Sequence, residues 1–231
     1  MQICGLQKTT LLDYPGRVAA TIFTFGCNFR CPYCHNMNLV EPEHKPEIFS
    51  KEEIMSFLKK RAGILEGVCI TGGEPTIDPE LVELVREIKE LGYCVKLDTN
   101  GTNPLMLEEL IEEELIDYAA MDIKTGFSDY ERVAGVSHPD IESISRSIRL
   151  LIKGELFYEF RTTLCRQYHT PEIMEEIGSM IRGCSNYYLQ SFRDSEYVKQ
   201  HGLGSFEKEE LLQMVKQLGK YDITAYIRGV D

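Results

Sequence analysis

Strand-like and helix-like segments alternate along this chain of 231 residues, from residue 17 almost to its end. The strand-like segments are short runs rich in β-branched, aromatic and other apolar residues, and apolar stripes at helical spacing lie between them. The predicted strands cover 17–25, 68–71, 94–97, 117–121, 156–164 and 187–189. Such alternation predicts parallel strands joined by helical crossovers. Six such units are too few for a closed eight-fold barrel, so we predict an α/β fold, an incomplete (β/α)6 TIM-like barrel.

Several predicted helices begin at recognisable capping residues. These starts are the capping box of Ser50 and Glu53 and the caps followed by proline at Asp78, Asn103 and Thr170. Pro42 and Pro46 mark residues 37–49 as a surface connection, and the glycine-containing stretch 125–140 is expected to be irregular.

No repeat, low-complexity tract or linker interrupts the chain, so we predict a single domain over 1–231. Its barrel core is expected at 16–193. Residues 194–231 are expected to add a helix over 206–218 and a short strand over 223–227.

Polar residues and glycines follow most of the predicted strands directly. They are Cys27 onward after the first strand, Gly72-Gly73-Glu74 after the second, Asp98-Thr99-Asn100 after the third, Asp122-Ile123-Lys124 after the fourth, and Gln190-Ser191-Phe192 after the sixth. The fifth strand carries Arg161 and Thr163 near its end. In barrels of this kind the chemistry lies at the carboxyl ends of the strands, so we expect these residues to converge there.

Three cysteines share one short loop, at Cys27, Cys31 and Cys34, in the spacing C-x3-C-x2-C. Thiolates select zinc or iron–sulfur clusters. A cubane normally takes four cysteines, but no fourth follows at short range. We therefore infer a [4Fe-4S] cluster in which one iron is open to a ligand from outside the protein. The less favoured alternative is a zinc site that adds His35, although its adjacency to Cys34 makes a shared tetrahedron awkward.

The string from Gly26 to Asn36, GCNFRCPYCHN, resembles the cluster loop of radical S-adenosylmethionine (SAM) enzymes, with Tyr33 just before the last cysteine. Among these it is most similar to the activating enzymes of glycyl radical enzymes. The string from Gly5 to Gly16, GLQKTTLLDYPG, resembles the activases of anaerobic ribonucleoside-triphosphate reductase. The resemblance implies the same incomplete barrel.

The resemblance also implies a reaction and its participants. A reduced [4Fe-4S] cluster would pass one electron to SAM, giving methionine and a 5′-deoxyadenosyl radical. That radical would take a hydrogen from a glycine Cα of a partner enzyme and leave a glycyl radical. A flavodoxin- or ferredoxin-type protein would donate the electron. No side chain is then required as a general acid or base.

SAM needs acceptors for its amino group and a cation for its carboxylate. Gly72 and Gly73 offer backbone carbonyls that a ligand can approach closely, because glycine lacks a Cβ, and Glu74 adds negative charge. The resemblance implies that Lys124, in the string D-x-K, binds the carboxylate. Arg161 is the second candidate cation.

Asp98 and Asp122 end adjacent predicted strands, and unpaired buried carboxylates are costly. The resemblance to pyruvate formate-lyase activases implies a monovalent cation held by this pair, by Thr99 and by the carbonyl of Ala120. The alternative left open is that both carboxylates pair with Lys124 and Arg161.

Further cofactor contacts are expected around the cluster loop and the strand ends. Tyr33 is a candidate for adenine, by its backbone or by stacking. Gln190 and Phe192 end a strand where the activases place a SAM-contacting residue, although pyruvate formate-lyase activase has histidine where this chain has Phe192. The remaining candidates adjoin these motifs and are His35, Asn100 and Ile123.

The composition and the sequence pattern limit which partners and which cellular compartment are plausible. The net charge of −12 disfavours a nucleic-acid or anionic-membrane surface. The sequence has no apolar run long enough to span a membrane and no signal-peptide pattern. An exposed cluster with an open iron is sensitive to oxygen, which implies a reducing, anaerobic cytoplasm. The five cysteines outside the loop are predicted to be buried free thiols with no assigned role. They are Cys4, Cys69, Cys94, Cys165 and Cys184.

Two other classes of function stay open at this point. One is a radical SAM enzyme that acts on a small molecule, such as a 7-carboxy-7-deazaguanine synthase. The other is a non-catalytic iron–sulfur or zinc module. Activases of pyruvate formate-lyase and related enzymes share every motif except the N-terminal string.

Overall fold

The computed structural model describes residues 1–41 and 47–230. Its strands are β1 (Ile3–Thr10), β2 (Ala19–Thr24), β3 (Gly67–Gly72), β4 (Cys94–Thr99), β5 (Tyr118–Asp122), β6 (Phe157–Leu164), β7 (Tyr187–Ser191) and β8 (Ala225–Arg228). Its α-helices are α1 (Met37–Val40), α2 (Lys51–Arg61), α3 (Leu81–Glu90), α4 (Pro104–Glu112), α5 (Tyr130–Ala134), α6 (Ile141–Lys153), α7 (Pro171–Met180) and α8 (Lys208–Leu218). Short 3₁₀ turns lie at Pro75–Ile77, Phe127–Asp129 and Gly219–Tyr221.

The chain divides into two compact units. The first comprises Met1–Asn28, Asn38–Thr99 and Asn103–Ala120, and the second comprises Phe29–Met37, Asn100–Thr102 and Met121–Asp231. Cys27 therefore belongs to the first unit, and Cys31 and Cys34 to the second. The prediction of one domain over 1–231 stays a prediction.

The first unit is built on a sheet in which β2, β3 and β4 are parallel and β1 pairs antiparallel with β2. Thr24 at the end of β2 is in register with Gly72 at the end of β3. The strands β2 and β3 are largely apolar, as strands buried on both faces are, whereas β4 also carries Lys96 and Asp98. Ile22, Ile70 and Leu97 have no exposed surface. This register sets the glycine turn after β3 beside the chain that leaves β2.

The second unit contains the parallel strands β6, β7 and β8. Side chains alternate along β6, so that Phe160, Thr162 and Leu164 are buried while Arg161 and Thr163 are half-buried. Because successive side chains of a strand point to opposite faces, one face of β6 is apolar and the other carries charged and polar groups.

Local capping signals place three of the predicted helix starts correctly. Ser50 forms both hydrogen bonds of its capping box at α2, while the side chains of Asn103 and Thr170 accept from backbone amides in the first turns of α4 and α7. The start expected at Asp78 is wrong. Asp78 instead accepts a hydrogen bond from the Glu80 amide, and α3 begins at Leu81.

Two further expectations need correction. Residues 125–140 are not irregular throughout, because they contain the 3₁₀ turn Phe127–Asp129 and the helix α5. The N-terminal strand β1 was not expected, since its polar run from Gln7 to Thr10 gives no apolar alternation. The surface connection predicted over 37–49 is wrong at its start, where Met37–Val40 form the helix α1. Pro42 and Pro46 lie outside the residues that the structure describes.

No helix within residues 1–41 and 47–230 is long and apolar enough to cross a membrane.

Candidate functional site

The cysteine loop closes on itself within the second unit. The Cys34 amide donates to the Cys31 carbonyl at 3.1 Å, and the Arg30 amide donates to the Ala134 carbonyl of α5 at 2.7 Å. A turn with this hydrogen bond holds its first and fourth Cα atoms within about 7 Å. The turn therefore keeps Cys31 and Cys34 close enough to serve one cluster, and neither they nor Cys27 take part in a disulfide.

The side chain of His35 bears on the zinc alternative. Its Nε2 lies 2.8 Å from the Arg193 carbonyl oxygen, and its ring stacks on Phe192 with centroids 5.5 Å apart. A carbonyl can only accept, so Nε2 carries the hydrogen, and Nδ1 is the ring nitrogen that keeps a lone pair. Among the described residues, no three His, Cys, Asp or Glu side chains are grouped to hold a single ion. Thiolates of a cubane each bind a different iron and need not converge on one point, so this arrangement favours the cluster.

The glycine turn after β3 packs against the backbone that leads into Cys27. In the first unit the Gly73 amide donates to the Thr24 carbonyl at 3.0 Å, and the Glu74 amide donates to the Gly26 carbonyl at 2.8 Å. A Cβ on Gly73 would lie 1.8 Å from the Gly26 oxygen, and Gly72 has a φ of +118°. Both glycines are thus required by the local packing.

Glu74 is buried rather than solvated, with 2% of its surface exposed. Its Oε1 accepts from the Thr76 amide at 3.1 Å and from the hydroxyls of Thr76 at 2.6 Å and Thr99 at 2.8 Å. Thr99 ends β4, so this carboxylate joins the carboxyl ends of β3 and β4. The first unit thereby brings together two of the sequence-predicted site segments.

Asp98 has a cation of its own within the first unit. The amine of Lys96, which is 2% exposed, donates to Asp98 Oδ1, and Cys69 Sγ lies 3.8 Å from the same amine. The pairing expected for Asp98 was either a bound cation or Lys124 with Arg161. In the described residues Lys96 is the basic partner of Asp98, and the sequence analysis did not predict this pair. Ala120, the proposed backbone ligand, is fully buried.

The backbone of Lys124 is held by three side chains of the second unit. Tyr33 of the cysteine loop donates its hydroxyl to the Lys124 carbonyl at 3.1 Å, and His169 Nε2 lies 2.9 Å from the same oxygen. The Lys124 amide donates to the Tyr130 hydroxyl at 3.2 Å. A residue that sequence reasoning assigned to SAM is thus fixed directly against the loop that carries Cys31 and Cys34.

His169 is held as one neutral tautomer. Its Nδ1 lies 3.0 Å from the Cys165 amide nitrogen, which can only donate, so Nδ1 accepts and the hydrogen sits on Nε2. The Cys165 carbonyl oxygen is also 3.2 Å from Nδ1, but the Nε2–H form satisfies both the Cys165 amide and the Lys124 carbonyl. Burial lowers the pKa of His169 despite its backbone hydrogen bonds.

We expect His169→Gln to flatten the pH dependence of stability. Because the folded pKa of His169 is lowered, the unfolded chain binds more protons below about pH 6.5, and the wild-type free energy of unfolding falls there as the pH drops. The slope contributed by one proton is at most about 1.4 kcal/mol per pH unit. Urea unfolding of metal-free protein between pH 7 and 5 measures it.

Glutamine keeps an amide that can donate to the Lys124 carbonyl but cannot gain a proton. His201→Gln, at an exposed histidine, serves as the reference for losing one imidazole. Equal slopes for the wild type and His169→Gln would contradict the prediction.

The side chains of Lys124 and Arg161 share one carboxylate. Lys124 Nζ donates to Asp122 Oδ2 at 3.0 Å, and Arg161 Nε donates to Asp122 Oδ1 at 2.9 Å. Burial alone would raise the pKa of Asp122, but the two cations outweigh it and lower the pKa. Burial alone would lower the pKa of Lys124, but Asp122 and then Cys31 outweigh it and raise the pKa. The alternative in which both carboxylates pair with Lys124 and Arg161 is therefore seen at Asp122. Asp98 pairs with Lys96 instead.

Two aromatic candidates lie in the core of the second unit. Tyr33 is 4% exposed and Phe192 is 0% exposed, and both belong to an apolar cluster with Val133, Cys165 and Tyr168. Enclosure of the Tyr33 ring favours a core tyrosine over stacking on adenine. Phe192 is covered by His35, so its ring has no surface left for a cofactor.

The other predicted residues have mixed placements. Asn100 accepts from the amide and hydroxyl of Thr102. Ile123 is fully buried, and its amide donates to the Arg161 carbonyl at 2.8 Å. Gln190 is half-buried and in register with Thr163 and Arg228.

The cysteines outside the loop are free thiols, as expected. Cys69, Cys165 and Cys184 are buried, whereas Cys4 and Cys94 are only half-buried. Burial raises the pKa of Cys165 to about 12 and that of Cys184 to about 11, so both stay protonated and neutral.

Comparison with known proteins supplies the family. The model of the radical SAM superfamily matches residues 21–164. The chain belongs to the radical SAM superfamily. A protein of Methanocaldococcus jannaschii named "Putative glycyl-radical enzyme activating enzyme" is 34% identical over 99% of this chain and 96% of its own. The pyruvate formate-lyase-activating enzyme of Clostridium pasteurianum is 30% identical over 91% of this chain and 86% of its own. The chain therefore belongs to the glycyl-radical-enzyme activating family of radical SAM enzymes.

A solved structure confirms the fold. Streptococcus suis SuiB bound to S-adenosylmethionine superposes with a TM-score of 0.69 at 15% identity, covering 89% of this chain. The chain spans about half of SuiB, 49% of its length. The radical SAM fold, an α/β fold of parallel strands predicted here as an incomplete (β/α)6 barrel, is confirmed. Membership makes the chain a radical SAM enzyme that uses a [4Fe-4S] cluster and SAM.

Proposed function

We propose that this radical SAM enzyme installs the glycyl radical of anaerobic ribonucleoside-triphosphate reductase. The family supports a protein substrate, and the N-terminal string from Gly5 to Gly16 supports this particular partner. The observation that carries the radical SAM chemistry is the attachment of the Lys124 backbone to the cysteine loop through Tyr33, with the Lys124 amine bound to Asp122. It gives a cation for the SAM carboxylate a fixed position relative to Cys31 and Cys34.

The donor set fits the cofactors that the family uses. Cys27, Cys31 and Cys34 would hold the cluster, and soft thiolates are its usual ligands. Lys124, which shares Asp122 with Arg161, would bind the SAM carboxylate through charge-assisted hydrogen bonds. The carbonyls around Gly72 and Gly73, with Glu74 fixed by two threonines, would accept from its amino group.

When bound, the cluster and SAM supply a 5′-deoxyadenosyl radical for hydrogen abstraction. Each cycle consumes one electron and one SAM, and yields methionine, 5′-deoxyadenosine and one glycyl radical on the partner. The chain's own residues bind, orient and shield the reactants. The electron would come from a flavodoxin- or ferredoxin-type donor. A monovalent cation at Asp98, Thr99, Ala120 and Asp122 stays a prediction. In the structure Asp98 pairs with Lys96, and Asp122 pairs with Lys124.

Electron paramagnetic resonance tests the partner directly. Reconstituted, reduced protein is mixed with SAM and either anaerobic ribonucleotide reductase or pyruvate formate-lyase. We expect a glycyl radical signal on the reductase and about one 5′-deoxyadenosine for each radical formed. The control is a reductase whose radical glycine is replaced by alanine, which should give no signal.

Each other outcome rejects the proposal in a distinct way. A radical on pyruvate formate-lyase alone would assign the chain to that enzyme. Turnover that needs only a small molecule would move it to the small-molecule class. Stoichiometric zinc without iron after anaerobic reconstitution would indicate a non-catalytic zinc-binding module.

A further inference from the structure

A fully enclosed carboxylate lies on the polar face of β6. Glu159 is 1% exposed, and it accepts two parallel hydrogen bonds from Arg228 of β8, each at 2.9 Å. Such bidentate pairs are the strong form of the arginine–carboxylate contact. Arg228 is itself held on its other side, since its guanidinium lies 3.8 Å from the ring centre of Tyr188.

A second guanidinium is close to the same carboxylate. Arg161 Nη1 lies 3.9 Å from Glu159 Oε1, while its Nε binds Asp122 at 2.9 Å. Glu159 and Arg161 are two residues apart on one strand, so their side chains share a face. Arg161 therefore lies near two carboxylates and is closer to Asp122 than to Glu159.

The ion pair between Arg228 and Glu159 determines which carboxylate Arg161 binds. A buried carboxylate without a partner is strongly unfavourable. If Arg228 were lost, Arg161 would be a cation already beside Glu159 among the described residues, at 3.9 Å, and it needs only a small movement to reach it. That movement would take Arg161 away from Asp122, and Asp122 would then be left to Lys124 alone.

The charges on Asp122 favour the same outcome. Lys124 and Arg161 both bind this one carboxylate. If Arg161 moved to Glu159, Lys124 would have to balance the charge of Asp122 without Arg161, and it would be held closer to that carboxylate.

We propose that Arg228 is a positioning residue that saturates Glu159 and so keeps Arg161 on Asp122 and Lys124 available to a ligand carboxylate. Arg228 lies beyond the residues 21–164 that the superfamily model matches, in the C-terminal strand. The identification of that ligand as SAM rests on the proposed function. The strand β8 thus acts on the site through Glu159.

Two variants and two measurements test the proposal. In a crystal structure of metal-free Arg228→Met we expect Arg161 to contact Glu159 and to leave Asp122. In the cluster-loaded enzyme we expect the KM for SAM to rise about tenfold, as the loss of one favourable contact does, with little change in kcat. The double variant Glu159→Gln with Arg228→Met removes the stray carboxylate, and we expect its KM to return close to the wild-type value.

Arg182→Met is the matched control. Arg182 also lies over a tyrosine ring, that of Tyr221, and near a carboxylate, that of Asp222, but it is exposed. Its loss should change neither the Arg161 contact nor the KM for SAM.

Three results would overturn the proposal. The first is a double variant as impaired as Arg228→Met, since simple loss of structure predicts no rescue. The second is an unmoved Arg161 in the Arg228→Met crystal. The third is a displaced Arg161 with an unchanged KM for SAM, which would show that these ion pairs do not affect SAM binding. The activation of a glycyl radical partner could still be measured in that case, so the proposed function would be tested separately. Failure to activate either partner, with Arg161 displaced and SAM binding weakened, would instead reject the proposed function alone.

Discussion

Replacing Cys31 by alanine is expected to abolish cluster binding and with it all cleavage of SAM. Only three cysteines lie in the loop, and two thiolates cannot hold a cubane that already lacks a fourth protein ligand. The loss should exceed the roughly 100-fold that removal of a supporting outer-shell residue costs a metal site. Iron and sulfide content after anaerobic reconstitution, and 5′-deoxyadenosine formed with dithionite, measure it.

The fold should survive this change. Cys31 is a small buried residue, and alanine differs from it by one sulfur atom. Cys94→Ala is the matched control, because Cys94 is a half-buried free thiol outside the loop. It should retain the wild-type iron content and turnover. A Cys31→Ala protein that still bound four irons and cleaved SAM would show that the cluster ligands lie elsewhere.

Sequence reasoning succeeds where the signal is local. The capping box of Ser50 and Glu53 and the Asn103-Pro104 start satisfy their hydrogen bonds within a single turn, so a short string contains all the partners. The Asp78-Pro79 start fails for a related reason. The side chain of Asp78 accepts a hydrogen bond from the Glu80 amide, and the helix begins only after Glu80. The same short string is therefore compatible with a turn before the helix as well as with a helix cap.

The partners in the candidate site are less visible in sequence. Glu159 and Arg228 are 69 residues apart, and they meet only because β6, β7 and β8 pair in one register. His169 shares no spacing with the other histidines, and its partners are a backbone carbonyl and a backbone amide, which have no sequence signature. Lys96 is the exception, since its spacing of two from Asp98 on a strand places both on one face.

At the glycine turn, the sequence identifies the correct residues but not the packing that requires them. Gly72 and Gly73 were singled out because a ligand could approach their carbonyls. The structure adds that they are needed before any ligand arrives, because the chain at Thr24 and Gly26 occupies the space of a side chain. Packing and cofactor binding therefore impose the same residue type here, and only a measurement that separates stability from binding can divide the two.

Gly73→Ala is expected to destabilise the protein severely. The new Cβ would lie 1.8 Å from the Gly26 carbonyl oxygen and 2.5 Å from its carbon. Both are backbone atoms, so no side chain can turn away and the β2 exit must shift. Overpacking that forces backbone movement costs about 3 kcal/mol or more, which lowers the melting temperature by roughly 10 °C in a chain of this size. Thermal unfolding of the metal-free protein measures this cost.

The same shift should reach the cluster, because Gly26 directly precedes Cys27 and its carbonyl accepts from the Glu74 amide. We therefore expect low iron incorporation in Gly73→Ala even at temperatures where the protein is folded. Gly219→Ala is the matched control, since its φ is −56° and no atom lies within 4 Å of its added Cβ. It should be neutral or slightly stabilising, by up to about 1 kcal/mol. A Gly73→Ala protein with wild-type melting temperature and iron content would mean that the turn after β3 does not pack on the entry to the cysteine loop.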